Sequence, residues 1–151
     1  MTLEGGCLCG AVRYRLNAEA MPACYACHCT DCQTQSGSAL GLQMPLFGGM
    51  LAIEGELRKG ERETADGVAV SYWACAQCGN RIYAENTARA GIVVLRAGTL
   101  DDSKTLVPRA HLWVKSKQPW MTIPDDAIVF EKQPESQREW AKILGLGGAD
   151  D

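Results

Sequence analysis

Eight cysteines in 151 residues, gathered into three short clusters, limit the folds open to this chain more than any other feature. Cys7-Leu8-Cys9-Gly10 comes first, Cys24-Tyr25-Ala26-Cys27-His28-Cys29-Thr30-Asp31-Cys32 second, and Cys75-Ala76-Gln77-Cys78-Gly79 third. The opening residues MTLEGGCLCGAV lack the basic and apolar regions of a secretory signal, and no apolar run approaches the ~18 residues of a membrane-spanning helix. The expected location is therefore the cytoplasm, with no membrane as partner. In a reducing compartment the cysteines are not expected to pair as structural disulfides, which leaves free thiols, redox chemistry or metal ligation.

Spacing decides among these. A C-x-x-C turn brings two sulfurs within reach of one zinc ion, and a glycine after the second cysteine lets the backbone turn through positive φ with N–H groups free to bond the sulfurs. Cys9-Gly10 and Cys78-Gly79 both have that glycine. Two such pairs closing on one ion make a four-thiolate structural site, to which Cys7, Cys9, Cys75 and Cys78 are assigned. The plainer alternative is four buried thiols acting as small apolar side chains.

The middle cluster admits several readings. Cys24-Tyr25-Ala26-Cys27-His28 satisfies the C-x-x-C-H pattern of covalent haem attachment, but that chemistry takes place outside the cytosol and leaves the other clusters unexplained. A redox C-x-x-C belongs near a βαβ pattern, and this chain shows none, so redox chemistry is the minor alternative. What remains is Cys27-x-Cys29-x-x-Cys32, three thiolates that can face one ion and leave a position open. Cys24 is a candidate fourth ligand. Extended backbone would turn it away from the face that Cys27 and Cys29 share, whereas a turn at Tyr25-Ala26 would bring it in and close the site. An open position on such an ion would admit one further ligand.

Around the clusters the chain reads as mainly β. Alternating or β-branched runs at 11–16, 41–45, 51–60, 68–73, 81–86, 91–100, 109–114 and 127–131 are separated by turn residues such as EGE, ADG, CGN and IPDD, which suits antiparallel hairpins. Helix is minor: a turn or two after Thr30, capped by Thr30 or Asp31, and ESQREWAKILG ended by Gly145. One domain over residues 1–145 is expected, with 146–151 as a flexible tail. A net charge of -3 and no block of like charges exclude a nucleic-acid backbone as the main partner.

The order C-x-C-G, C-H-C-x-x-C-x-x-x-S-G-S and C-x-x-C-G, followed by LRAGTLDD, AHLWVKSKQPW and IPDD, closely resembles the glutathione-dependent formaldehyde-activating family, also called centromere protein V-like. The match covers about residues 4 to 131. The resemblance implies an antiparallel β-tent stapled by zinc, with Cys7, Cys9, Cys75 and Cys78 on a structural zinc. Cys27, Cys29 and Cys32 would ligate a second, catalytic and partly occupied Zn2+ where a thiol substrate binds. It further implies a carbon–sulfur lyase that joins glutathione and formaldehyde into S-(hydroxymethyl)glutathione. A reading from another class, a non-catalytic zinc module binding glutathione or a protein partner, remains open, because thiols and formaldehyde also combine spontaneously. Cys24 departs from the family pattern.

Other residues carry weaker expectations. His28 points away from the metal by alternation and is read as a hydrogen-bonded or surface histidine, and His111 as structural. Trp113 and Trp120 are read as core or pocket wall. Ser36-Gly37-Ser38 offers backbone N–H groups to a carboxylate or caps local structure, and Arg13, Arg15, Arg109 and Lys115 are scattered charge able to attract an anionic thiol.

Overall fold

The computed structural model describes residues 2–145, so the expected tail at 146–151 lies outside the described residues. The strands are β1 (Thr2–Gly6), β2 (Arg13–Asn17), β3 (Tyr25–Cys27), β4 (Gly41–Phe47), β5 (Leu51–Glu54), β6 (Leu57–Glu63), β7 (Ala69–Cys75), β8 (Arg81–Asn86), β9 (Ile92–Arg96), β10 (Ala110–Leu112) and β11 (Ile128–Val129). The helices are α1 (Thr30–Ser36) and α2 (Gln137–Leu144), with short 3-10 turns elsewhere. The mainly β class expected from the sequence is what the chain adopts. No helix among the described residues is long and apolar enough to cross a membrane.

The chain divides into two compact units, residues up to 22 with 44–106, and residues 23–43 with those from 107 on. Strand β4 contributes to both, and its burial pattern slips phase at that boundary, where Gln43 and Met44 are buried in succession. Strict alternation would have put one of them in solvent.

In the first unit, β1, β2 and β5 form an antiparallel sheet, and β6, β7, β8 and β9 run on from β4 in a second. β2 is built as its alternation predicts: Tyr14 and Leu16 are buried while Arg13, Arg15 and Asn17 are exposed. Burying a side chain of the size of Leu16 stabilises by about 1.5–3 kcal/mol, which is how so short a strand is held in register. The Tyr14 hydroxyl bonds Thr99 Oγ1 at 2.8 Å. Burial pushes that phenol up to about 12, so it stays neutral and able to donate.

The sequence run 51–60 is two strands rather than one. It breaks at Gly55, whose φ of 109° suits only glycine, and a Cβ there would fall 2.3 Å from the Ala11 carbonyl oxygen and 2.9 Å from Val12 Cα. Gly55→Ala is accordingly expected to cost about 2–4 kcal/mol, combining backbone strain with overpacking. A urea midpoint that falls with the slope unchanged is the readout; an unshifted midpoint would show that the turn relaxes freely.

The second unit departs from the antiparallel expectation. β3 pairs antiparallel with β4, but β10 runs parallel to both β3 and β11. β3 and β10 are each buried at every position, so neither shows the alternation that marks a strand with one wet face. Tyr25, Cys27, Ala110, Leu112 and Ile143 form the core here. Trp140 meets the Tyr25 ring edge-on, with centroids 5.5 Å apart. α2 starts and stops by local rules: Ser136 Oγ accepts from the Glu139 N–H at 3.1 Å, and Gly145 turns left-handed at φ 71°.

Candidate functional site

The first cysteine cluster lies in the first unit. Cys7 and Cys9 sit in the turn after β1, Cys75 closes β7, and Cys78 precedes β8. Gly10 and Gly79 both take positive φ, 81° and 77°, as their places after the second cysteines predict. Asn80 locks the two turns together, accepting the Leu8 N–H at Oδ1 (3.1 Å) and donating from Nδ2 to the Arg81 carbonyl (2.9 Å).

All four Sγ atoms lie within 4.8 Å of one another, with Cys7–Cys9 at 3.5 Å and Cys9–Cys75 at 3.7 Å. Four sulfurs at ~2.3 Å from a tetrahedral zinc stand ~3.8 Å apart, so the cluster fits that ion. N–H donors aim at the sulfurs, from Val12 to Cys7 at 3.2 Å and from Cys78 to Cys75 at 3.4 Å. Burial works to raise the Cys7 thiol, but the Val12 N–H and the neighbouring thiols bring it down to about 6. Cys9 is favoured by the Ala11 N–H, yet burial and the sulfurs of Cys7, Cys78 and Cys75 drive it up to about 12. The first thiolate forms easily and a later one is resisted; a divalent cation is the group that lets all four ionise together.

The second cluster lies in the other unit. Cys27 ends β3, and Cys29 and Cys32 flank the start of α1. Their three Sγ atoms also lie within 4.8 Å of one another, Cys27 buried and the other two half-buried, so this trio too could hold a metal ion. The Cys27 and Cys32 thiols hold Cys29 far below the ordinary thiol range, while Cys29 and Cys32 push Cys27 far above it. One negative charge is shared and more require a cation. Gln43 Nε2 reaches Cys32 Sγ at 3.6 Å, and Gly41 leaves room beside it: a Cβ there would sit 3.4 Å from that sulfur.

The helix start differs from expectation. The N-cap of α1 is Cys29, not Thr30 or Asp31: its Sγ accepts the Cys32 N–H at 3.3 Å, and its carbonyl accepts from Gln33 N at 3.0 Å. The sulfur takes the place that a hydroxyl or carboxylate oxygen usually fills. Cys24 is buried but is not part of the trio. Its thiol is pushed up by burial, and its carbonyl accepts the Arg109 N–H at 2.8 Å.

His28 is not at the surface. It is fully buried, with Nε2 2.9 Å from His111 Nδ1 and the two rings stacked at 5.2 Å. Burial lowers both imidazoles, so each is neutral near pH 7, one donating to the other. His28 Nδ1 has no hydrogen-bond partner among the described residues. The pair arises because β10 lies beside β3, with His111 opposite Ala26. No local pattern in the sequence announces it.

Gln33 is the residue that sequence reasoning missed. Its Nε2 donates to the carbonyls of His28 and Ser116, both at 2.9 Å, and its Oε1 accepts from Gln118 Nε2 at 3.2 Å. Gln118 in turn accepts the Trp120 indole N–H at 2.6 Å. Gln33, Thr34, Gln118 and Trp120 line a hollow of about 540 Å³, completed by the segment Gly37-Ser38-Ala39. Trp120 is 70% exposed and is wall, not core. Trp113 is half-buried and bonds Gln133, with a left-handed φ of 60°. The cations are placed elsewhere: Arg13 pairs with Asp101, Arg15 with Glu4, and Arg109 reaches the Lys142 carbonyl. Neither they nor Lys115 line the hollow.

A Halomonas elongata protein named "Putative glutathione-dependent formaldehyde-activating enzyme" is 27% identical over 154 residues, covering 97% of this chain and 98% of its own. A crystal structure of a Rhodobacter sphaeroides protein superposes with a TM-score of 0.53 at 17% identity, over 70% of this chain and 97% of that one, a likeness of fold. The sequence profile of the glutathione-dependent formaldehyde-activating enzymes matches residues 2–116, and the chain belongs to that family.

Proposed function

We propose that this chain is a zinc-dependent enzyme of the carbon–sulfur lyase class that joins a small-molecule thiol, glutathione or a relative, to a small aldehyde such as formaldehyde. The observation that carries this reading is the trio Cys27, Cys29 and Cys32: three sulfurs converge and Cys24 is not among them. Zinc bound there would supply a cationic centre that keeps a thiol deprotonated at neutral pH. Cys7, Cys9, Cys75 and Cys78 would hold a second zinc, saturated and structural.

The chain's own residues set the conditions. The trio brings sulfur donors to one point, the Cys32 N–H steadies the Cys29 sulfur, and Gln43 does the same for Cys32. Burial keeps the hydrogen-bonded His28–His111 pair neutral, so it adds no positive charge. In the reaction a sulfur–carbon bond forms, the carbonyl π electrons move to oxygen, and that oxygen takes up the proton the thiol gave away. The reverse reaction breaks the same bond.

Cobalt substitution tests the reading, since Co2+ at thiolates absorbs strongly and responds to a change of ligand. Two ions per chain are expected by native mass spectrometry, with only one of them changing its spectrum when 2-mercaptoethanol is added. A spectrum indifferent to thiols at saturating concentration would reduce the trio to a closed structural site.

A further inference from the structure

In the first unit, strands β6, β7 and β8 sort their charges by face. The register lays out one face in rows: Arg58, Ala74 and Arg81 side by side, then Gly60, Tyr72 and Ala84, then Arg62, Val70 and Asn86. Glu61, Glu63 and Glu85 alternate onto the other face, where Lys59 pairs with Glu61 at 2.8 Å and the Trp73 indole N–H bonds Glu85 at 3.0 Å. Arg81 reaches the first face through an irregularity. Strict alternation would place it with Tyr83, on the side of Trp73, but the register shifts between Trp73 and Ala74 and turns it over. Bulges of this kind re-aim side chains and recur beside functional sites.

The arginines gather around Tyr72, whose ring is buried. Arg81 Cζ stands 4.5 Å from the ring centroid and Arg62 Cζ 5.9 Å, and Arg62 Nε donates to the phenol oxygen. Arg81 Nη1 is buried and meets no hydrogen-bond acceptor among the described residues. A ring face offsets only part of the cost of burying a charged N–H in that way. No carboxylate pairs with Arg58 or Arg81 among the described residues, and Glu56, two residues before Arg58, lines a different hollow with Ala11, Ala76 and Gln77.

Beside the ring the surface is open. Gly60 lies between Arg58 and Arg62 on the edge strand, and a Cβ built on it would meet nothing within 4 Å. Glycine inside a strand weakens it and often marks the place where a ligand approaches the backbone. The gap over Gly60 thus has a guanidinium on each side along β6 and a third from β8, over the ring of its cross-strand neighbour. Guanidinium forks suit carboxylate and phosphate oxygens alike, but charge separates the two. A carboxylate brings one negative charge to three positive ones, whereas a phosphoryl group brings about two at neutral pH, with three acceptor oxygens.

We propose that the gap over Gly60, bordered by Arg58, Arg62 and Arg81, binds a phosphoryl group, as free phosphate or as a small phosphate monoester. It stands apart from the thiol chemistry proposed for the cysteine trio and does not depend on it.

The test is calorimetry on the zinc-loaded protein, dialysed free of excess metal, with inorganic phosphate, methyl phosphate and acetate. At least one phosphate is expected to bind about tenfold or more tighter than acetate, and to weaken as chloride is raised. Binding of both identifies a monoester site and binding of inorganic phosphate alone a site for the free ion; each upholds the proposal. Arg58→Gln and Arg81→Gln should each weaken binding about tenfold, while Lys59→Gln, which removes the same charge from the other face, should change it less than about twofold. Gly60→Val fills the gap without touching a charge, so it is expected to abolish binding and keep the melt, and it decides the matter should Arg81→Gln fail to fold. Phosphates that bind no better than acetate, an equal loss in Lys59→Gln, or affinity unchanged in Arg58→Gln and Gly60→Val overturns the proposal.

Discussion

Cys75→Ser is expected to strip one metal ion from each chain and to lower stability by more than about 3 kcal/mol, the largest loss of any single substitution considered. Cys75 is fully buried at the end of β7, and its sulfur stands 3.7 Å from that of Cys9. Structural zinc in small domains contributes folding free energy on the order of 10 kcal/mol, and three remaining thiolates plus a poor oxygen ligand retain only part of it. The hydroxyl would also be buried where a polarizable sulfur now lies. Metal content by mass spectrometry and a chemical melt check both halves of the prediction. A variant that still binds two ions and melts normally would show that this cluster is a group of packed thiols and nothing more.

Cys29→Ser carries the largest expected effect on activity, a fall of at least ~100-fold in turnover of thiol and aldehyde with little change in the melt. The asymmetry has a structural reason. Serine serves well as an N-cap, so α1 keeps its start, while a hydroxyl is a far weaker ligand than a thiolate and leaves the trio with two sulfurs. Cys24→Ala is the matched control, expected to keep two ions and full turnover because Cys24 stands outside the trio. If Cys29→Ser retained its rate, or Cys24→Ala lost it, the open-site mechanism would have to be abandoned. The two outcomes therefore bear on different sulfurs.

Much of this was readable wherever the physics is local. Gly10 and Gly79 declared their turns through the need for positive φ, β2 declared itself through alternation, and α2 through the glycine that stops it at Gly145. The two cysteine groupings followed from spacing, since C-x-C and C-x-x-C leave few ways to arrange sulfurs. What stayed hidden depends on partners far along the chain. β3 and β10, buried at every position, show no period, so their parallel pairing and the His28–His111 contact it creates had no local sign. β1 was disguised by its two closing glycines, and Gln33 by being an ordinary polar residue on a short helix. Cys29 as a cap ran against the usual preference for oxygen at that position.

That last departure makes one backbone proton a reporter. The Cys32 amide hydrogen rests on the Cys29 sulfur. A metal-bound thiolate is a better acceptor than a thiol and would slow deuterium uptake at that amide, whereas an alkylated or oxidised sulfur would release it and hasten uptake. Loading and damage, which look alike in any count of unreacted thiols, would thus leave opposite signatures in the first turn of a seven-residue helix.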